Sequence, residues 1–192
     1  MRVAFQGELG AFSELAVAQL WGPEAEPVPC RRFDDVLRAV ADGAVDAGVI
    51  PVENTAVGRI PGSAEALQEF PTLVRVDETR VRIRPCLLAP EGVSVRDLRR
   101  IYSHPAALAQ CSRYFRDHPW LQAMPSYDTA GAARDVALHH DGATGAIAGR
   151  PAAVRYGLAV LEDDIADVQD NNTRFVAVKR GMGASDQLGR PA

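Results

Sequence analysis

The segment Ala47-Gly48-Val49-Ile50-Pro51-Val52-Glu53-Asn54-Thr55 places a run of apolar residues directly before a polar one. A short, continuous apolar run is typical of a strand that is covered on both faces, as in a parallel sheet. The residues from Pro51 to Thr55 then predict a polar loop at the carboxyl end of that strand. Because ligands of open α/β sheets bind beyond this end of the strands, the segment predicts a buried strand and part of a binding site.

Strands and helices alternate on both sides of this segment. Apolar runs predict further strands, whereas capping residues and apolar periodicity predict helices. The predicted strands cover 3–5, 47–50, 101–103, 145–148 and 173–178, and the predicted helices cover 34–41, 64–70, 95–99, 105–115, 130–140 and 151–156, with another capped by Ser13. This alternation favours an α/β fold with mainly parallel sheets.

Length and composition describe an ordinary globular chain. Its 192 residues, of which 47% are hydrophobic and 24% charged, suit one domain or two small lobes. The net charge of -4 and the scattered basic residues argue against a nucleic-acid partner. No apolar stretch approaches the ~20 residues that cross a bilayer, and no signal peptide is recognisable. We therefore expect a cytoplasmic protein with no membrane partner.

Cysteine and glycine patterns exclude several kinds of site. Cys30, Cys86 and Cys111 are odd in number and widely spaced, which fits neither a disulfide framework nor a zinc site. The chain has no P-loop and no glycine-rich dinucleotide fingerprint, so a nucleotide-dependent enzyme is disfavoured. Polar segments instead follow several predicted strands and lead into helix starts, whose free amides suit a carboxylate or a phosphate.

The most distinctive motif is Asn171-Asn172-Thr173-Arg174-Phe175, which Asp167 precedes. It occurs together with Gly7–Glu14, Pro51–Thr55, Ser103–Cys111, the run that begins at Asp128, and Tyr156–Leu158. In this order the motifs resemble those of the prephenate dehydratase family, over residues 2 to about 180. The sequence departs from the family pattern at Ala11, Arg84-Pro85 and Gly149-Arg150, which affects the expected shape of the pocket.

The resemblance implies a reaction and a fold. The reaction converts prephenate to phenylpyruvate, CO2 and water on the route to phenylalanine, without a cofactor or a metal. The fold has two α/β lobes of the periplasmic-binding-protein kind, with the substrate in the cleft between them. We place lobe one at 1–77 and 156–180, lobe two at 78–155, and a disordered tail at 181–192. Because few residues follow Phe175, we expect no regulatory ACT domain and no phenylalanine feedback through this chain.

The resemblance also implies roles for the last motif. Thr173 is expected to be catalytic, donating a hydrogen bond to the hydroxyl that leaves the substrate ring. Arg174 is expected to bind a substrate carboxylate, and Phe175 to form part of the apolar wall. The residue types alone leave an alternative open for each. Thr173 can be a β-branched residue that starts a strand, Arg174 can form a surface salt bridge, and Phe175 can simply pack in the core.

Four further residues are expected to orient the substrate through hydrogen bonds: Asn54, Thr55, Ser103 and Gln110. Gln110 lies seven residues after Ser103, two helical turns on, so both side chains can face one cleft. Ser103 alternatively caps the helix that begins at Pro105. Glu53 is a candidate acid or base if its pKa is raised, and otherwise a structural carboxylate.

Two other functions stay open at this stage. The same family includes arogenate dehydratases, which make phenylalanine directly, and the same fold serves as a non-catalytic binding module for small molecules. The expected partners are the small-molecule substrate, a second copy of the chain in a homodimer, and a separate chorismate mutase or regulatory chain.

Overall fold

The computed structural model describes residues 1–139 and 141–181, so residues 182–192 of the expected tail lie outside the described part. The first half contains β1 (Arg2–Gln6), α1 (Phe12–Trp21), β2 (Glu26–Cys30), α2 (Phe33–Ala41), β3 (Ala47–Asn54), β4 (Gly58–Arg59), α3 (Ser63–Glu69) and β5 (Leu73–Arg82). The second half contains β6 (Cys86–Ala89), β7 (Arg100–Ser103), α4 (Pro105–Gln110), α5 (Ser112–Asp117), β8 (Gln122–Pro125), α6 (Thr129–His139), β9 (Thr144–Ala148), α7 (Arg150–Tyr156), β10 (Ala159–Glu162) and β11 (Asn172–Arg180). The expected α/β class is confirmed.

The first sheet has the strand order β2-β1-β3-β11-β5, with β4 paired to β3, and it forms lobe one. β1 runs parallel to β2 and β3, whereas β11 runs antiparallel to β3 and β5. The apolar run of β3 lies under α2. A Cβ at Gly48 would lie 2.9 Å from side-chain atoms of Val36 and Val40, so the glycine allows α2 to pack close to the strand.

The second sheet has the order β10-β6-β9-β7-β8 and forms lobe two. β7 runs parallel to β8 and β9, whereas β6 runs antiparallel to β9 and β10. Each sheet therefore combines parallel and antiparallel pairs. Apart from the antiparallel pair of β3 and β4, every antiparallel pair involves one of the strands next to the crossings between the lobes, β5, β6, β10 and β11. The order of strands and helices along the chain does not reveal these pairs.

The chain crosses between the two sheets at 83–85 and again at 163–171. The expected lobe boundaries need correction on this point. The boundary at 77 falls inside β5, which pairs with β11 along its length in the first sheet. Residues 159–162, expected in lobe one, form β10 and pair with β6 in the second sheet. Lobe one therefore holds β1–β5 and β11, and lobe two holds β6–β10.

Two local expectations also change. β3 continues through Pro51 to Asn54, where a loop was expected, because these residues pair with β11 and β4. β1 pairs with β3 only as far as Val49. Pro51 lies beyond the residues that pair with β1, so its missing N–H leaves no group of β1 without a hydrogen-bond partner. Residues 95–99, expected to be helical, contain a turn at 95–97 instead, and Asp97 closes it by accepting hydrogen bonds from Ser94.

Helix ends differ in two places. The helix expected over 105–115 is divided at Cys111 into α4 and α5, since the backbone of Cys111 (φ -113°, ψ 25°) leaves the helical region. Ser13 lies within α1, whose N-cap is Ala11, so it does not cap that helix. By contrast, Asp128 caps α6 as expected, because its Oδ1 accepts a hydrogen bond from the Gly131 amide at 2.8 Å.

The two lobes touch at the loop before α1. Gly10 lies against α7, where a Cβ on it would come within 2.9 Å of the Ala152 Cα. The Tyr156 hydroxyl donates a hydrogen bond of 2.6 Å to the Leu9 carbonyl. These contacts hold the loop before α1 against α7 and leave a cleft between the lobes.

Candidate functional site

A cleft of about 270 Å³ lies between the lobes. The expected two-lobe arrangement, with a cleft between the lobes, is confirmed. The lining comes from both sheets and from the first crossing, and it is mostly apolar: Phe12, Pro51, Val57, Ile60, Ile83, Pro85, Ile147 and Phe175. Its polar lining residues are Gln6, Ser13, Asn54, His104, Gln110, Tyr127, Asp128, Thr129 and Thr173. This composition is typical of a small-molecule site, where a few polar groups orient an apolar ligand.

Thr173 is the second residue of β11 and faces the cleft, although only 6% of it is exposed. Its Oγ1 accepts a hydrogen bond of 2.9 Å from Nδ2 of Asn54, the residue directly opposite on β3. Within the described residues the Thr173 hydroxyl donates to no protein group. The Thr173 proton is therefore available to a molecule in the cleft.

The orientation of the Asn54 carboxamide follows from its neighbours. Its Oδ1 accepts hydrogen bonds from the backbone amides of Ala56 at 2.9 Å and Val57 at 3.2 Å. Because these two groups only donate, the oxygen must face them and the NH2 group must face Thr173. The second Nδ2 hydrogen is bound by Oδ1 of Asn171 at 2.7 Å. Asn54 therefore makes the Thr173 hydroxyl an acceptor toward β3 and leaves its hydrogen to be donated toward the cleft.

Gln110 enters the cleft from α4 in lobe two. Its Oε1 accepts a hydrogen bond of 3.0 Å from Nδ2 of Asn171. No described residue accepts from its Nε2, so this amide group is a second donor for a molecule in the cleft. Phe175, which is 2% exposed, packs in the core and lines the cleft, so its two expected roles coincide.

Three expected site residues do not line the cleft, and the first is Thr55. Its hydroxyl donates to the Asp170 carbonyl and accepts from the Asn172 amide, both at 2.9 Å. The Thr55 amide also donates to the Asn172 carbonyl at 2.9 Å. These bonds tie the second crossing to the end of β3, so Thr55 anchors the start of β11.

The second is Ser103, which is fully buried at the end of β7. Its hydroxyl donates a hydrogen bond of 2.6 Å to the Ile147 carbonyl and so joins β7 to β9. The residue that caps α4 is His104, whose Nδ1 accepts from the Ala106 amide at 3.2 Å. The cap expected at Ser103 is therefore one residue further along.

The third is Arg174, which lies on the opposite face of β11 from Thr173. Its guanidinium pairs with Glu53 at 3.2 Å and with Glu78 at 3.1 Å. Arg174, Glu53 and Thr55 line a separate shallow hollow of about 110 Å³. The surface salt bridge is thus the alternative that the structure supports, and Glu53 is a structural carboxylate outside the cleft.

Several cleft residues escaped the sequence analysis. Ser13 in the first turn of α1 and Thr129 at the start of α6 bring their hydroxyls to the cleft, and α1, which has no capping side chain, also brings first-turn amides. Asn171 links Asn54 to Gln110 without lining the cleft itself. Its place in the distinctive motif was the only feature of the sequence that could have identified Asn171. The hydrogen bonds that give it a role join residues far apart in the sequence and could not be predicted.

Charged groups lie at the mouth of the cleft. Arg134 of α6 pairs with Glu8 of lobe one at 3.0 Å and donates to the Tyr127 hydroxyl at 2.8 Å. Burial raises the pKa of the nearby Asp128 carboxyl; the Gly131 amide opposes this change and the Glu8 charge adds to it. A neighbouring hollow of about 660 Å³, which shares Tyr127 and Asp128 with the cleft, is also lined by Arg31.

The described residues contain no group of three or more side chains suited to a metal ion. In the same part of the chain, no helix has the length and apolar character needed to cross a membrane.

Two α/β lobes around an apolar cleft with polar donors define a protein that binds a small molecule between its lobes. The model of the prephenate dehydratase family matches residues 3–182, and the chain belongs to this family. An arogenate dehydratase 2 from Petunia hybrida is 42% identical over 180 residues, which cover 94% of this chain and 45% of the relative.

Solved structures agree with this assignment. The prephenate dehydratase from Arthrobacter aurescens, in complex with L-Phe, has a TM-score of 0.87 and 33% identity, over 95% of this chain and 61% of that chain. GqqA, described as a novel type of quorum quenching acylase, has a TM-score of 0.85 and 34% identity, over 96% of this chain and 66% of that chain. The chain thus spans about half the length of the curated relative.

Proposed function

We propose that this chain is a lyase that converts prephenate to phenylpyruvate, CO2 and water in phenylalanine biosynthesis. The proposal rests on the position and the hydrogen bonding of the Thr173 hydroxyl. This hydroxyl faces the cleft, accepts from Asn54, and keeps its proton for a ligand. Membership of the prephenate dehydratase family gives independent support.

The reaction needs little from the protein. The bond between the ring and its carboxylate breaks to release CO2, and its electron pair enters the ring as the ring becomes aromatic. The C–O bond at the opposite ring carbon breaks, and the departing oxygen takes up a proton to leave as water. A threonine hydroxyl is a weak acid, so we assign Thr173 the role of a fixed donor that stabilises the charge developing on that oxygen.

The cleft suits the rest of the substrate. Phe12 and Phe175 form apolar walls for the six-membered ring. No arginine or lysine is among the described residues that line the cleft, so we assign the carboxylates to neutral donors. These donors are Gln110 Nε2, the Ser13 and Thr129 hydroxyls, and the first-turn amides of α1. Arg31 and Arg134 add positive charge at the mouth.

A second candidate substrate is arogenate, which carries an ammonium group where prephenate has a keto group. The Asp128 carboxylate lines the cleft and Glu8 lies beside it, so an ammonium group has acidic partners there. The similarity to the Petunia arogenate dehydratase supports the same candidate. An acylase function has less support. It requires an activated nucleophile, and the group bound to Thr173 Oγ1 is an amide donor instead of a base.

The test is turnover of both substrates by the purified chain at mildly alkaline pH, where the acid-driven breakdown of prephenate is slow. Phenylpyruvate from prephenate and phenylalanine from arogenate are measured side by side, with Thr173→Ala as the matched control for spontaneous breakdown. We expect phenylpyruvate to form at least ~10²-fold faster with the wild-type chain than with the variant. Phenylalanine from arogenate alone would favour the second candidate, and binding of phenylpyruvate without turnover would favour a non-catalytic module.

The homodimer, the separate chorismate mutase or regulatory chain, and the cytoplasmic location stay predictions. Light scattering of the purified chain tests the first of them.

A further inference from the structure

Asn171 is the last residue of the second crossing, and only 1% of it is exposed. Its side chain joins the lobes: Oδ1 accepts from Asn54 of lobe one at 2.7 Å, and Nδ2 donates to Gln110 of lobe two at 3.0 Å. Its backbone carbonyl accepts a hydrogen bond of 2.7 Å from Ile83 in the first crossing. Asn171 is therefore the point where both crossings and both lobes meet.

The hydrogen bonds of Asn171 have one possible direction. The backbone amides of Ala56 and Val57 fix the oxygen of Asn54, so both hydrogens of its NH2 group are fixed as well. Asn171 must then present its oxygen to Asn54 and its NH2 group to Gln110. Gln110 must in turn present its oxygen to Asn171, which leaves its NH2 group for the cleft.

We propose that Asn171 is a positioning residue that turns the donor group of Gln110 toward the substrate. The role rests on the proposed function, because it concerns how the cleft holds a carboxylate or keto oxygen of that substrate. The backbone amides of Ala56 and Val57 in lobe one therefore determine, through Asn171, which way the Gln110 side chain of lobe two is oriented. Thr173 and Gln110 are thereby kept as donors together, one from each lobe.

Asn171→Asp separates this role from simple packing, because the two side chains have nearly the same shape. A carboxylate still accepts from Asn54, so the Asn54–Thr173 bond is retained. It has no hydrogen to donate, so Gln110 must rotate to donate its NH2 group to residue 171, and its oxygen then faces the substrate. The variant therefore reverses the polarity of Gln110 while Thr173 keeps its orientation.

The experiment is a double-mutant cycle of Asn171→Asp and Gln110→Ala, with kcat and KM measured for the faster substrate. We expect each single variant to raise KM about tenfold, the cost of one hydrogen bond to a charged group, and to leave kcat within about threefold. The double variant should also raise KM only about tenfold, since both changes remove the same donor. Asn172→Asp is the control for charge, since it adds the same charge one residue along, on the other face of β11. It also loses the 2.7 Å hydrogen bond to Asp170, which lies outside the cleft lining, so we expect some loss of stability and a nearly unchanged KM.

A double variant with a roughly hundredfold higher KM would overturn the proposal, because additive effects mean that the added charge repels the substrate directly. An Asn171→Asp variant with wild-type KM would also overturn it. If thermal unfolding shows that Asn171→Asp does not fold, Asn171→Ser, which is too short to reach both partners, takes its place in the cycle. A wild-type chain that turns over neither substrate would overturn the proposed function and this role with it, whereas an active wild type with additive effects overturns this role alone.

Discussion

At the scale of single residues, neighbours on β11 face different surroundings because side chains alternate across a strand. Thr173 and Phe175 line the cleft between the lobes, whereas Arg174 between them lies among the carboxylates of Glu53 and Glu78. Consecutive residues of one motif therefore lie on two separate surfaces, the cleft and the opposite face of the sheet. On the proposed function, the cleft holds the carboxylates of prephenate without the arginine that the motif suggests.

Arg174→Gln tests this separation. Only 28% of the Arg174 side chain is exposed, but both of its partners are more than half exposed, so the pairs contribute at most about 1 kcal/mol each to the free energy of unfolding. We expect KM for prephenate to stay within about threefold of the wild-type value, and Gln110→Ala assayed alongside to raise it about tenfold. A tenfold or larger rise in KM for Arg174→Gln would return Arg174 to the substrate site.

Sequence motifs predict Thr173, Asn54, Gln110 and Phe175, and the structure brings these four to the cleft. The period of two along a predicted strand already separates Arg174 from Thr173, so that correction was available from the sequence. The burial of Ser103 was not available, because it depends on the carbonyl of Ile147, which lies on another strand of lobe two.

At the scale of elements, the second crossing holds short helices in place as well as joining strands. Asp167 in this crossing accepts hydrogen bonds from the Ser112 amide at 3.0 Å, the Ser112 hydroxyl at 2.7 Å and the Arg113 amide at 2.9 Å. α5 has no capping side chain of its own, so Asp167 caps it from a distant part of the chain. The break at Cys111 and this cap depend on tertiary contacts, which explains why the sequence predicts one longer helix.

Asp167→Ala should lower the free energy of unfolding by about 1 kcal/mol at pH 7, the usual cost of a lost cap. Partial burial raises the pKa of Asp167, but the hydrogen bonds from Ser112 and Arg113 outweigh it and hold the pKa below its ordinary value. The contribution is therefore fully present above the unfolded-state pKa and is lost as the pH falls through the folded-state pKa. Urea unfolding between about pH 7 and pH 3 should show the difference from wild type shrinking. A difference that stays constant down to the lowest pH, or appears equally in the exposed-site control Glu91→Ala, would contradict the cap.

At the scale of the whole molecule, the two lobes are separate sheets joined by two crossings, and the cleft depends on their contact. Alternating strands and helices predict the α/β class, and the resemblance to the prephenate dehydratase family implies the two lobes. They do not predict which sheet takes β10, because that depends on antiparallel pairing with β6. The close approach of Gly10 to α7 is likewise a tertiary contact, and it sets how near the lobes lie.

Gly10→Ala tests the importance of this contact. Gly10 has φ +91° and Gly92 has φ +86°, so an alanine strains the backbone at either position by about 1–2 kcal/mol. At Gly10 the new Cβ also meets the Ala152 backbone at 2.9 Å, whereas at Gly92 it meets nothing within 4 Å. We expect a larger loss of stability for Gly10→Ala than for Gly92→Ala, because only the first adds a clash to the backbone strain. We expect a fall in kcat/KM of at least about tenfold and a larger radius of gyration by X-ray scattering for Gly10→Ala alone. Equal activity in the two variants would show that the spacing of the lobes does not limit catalysis.

In the proposed reaction, the Thr173 hydroxyl, bound by Asn54, presents its proton to the oxygen that leaves the substrate. The most direct test is kcat for prephenate in Thr173→Val, which keeps the shape of the side chain and removes the hydroxyl, beside Thr173→Ser, which keeps the hydroxyl. We predict that the valine variant loses at least ~10²-fold in kcat while binding phenylpyruvate within about threefold of wild type, and that the serine variant stays within about tenfold in kcat. A valine variant that retains kcat within about tenfold of wild type would contradict the claim.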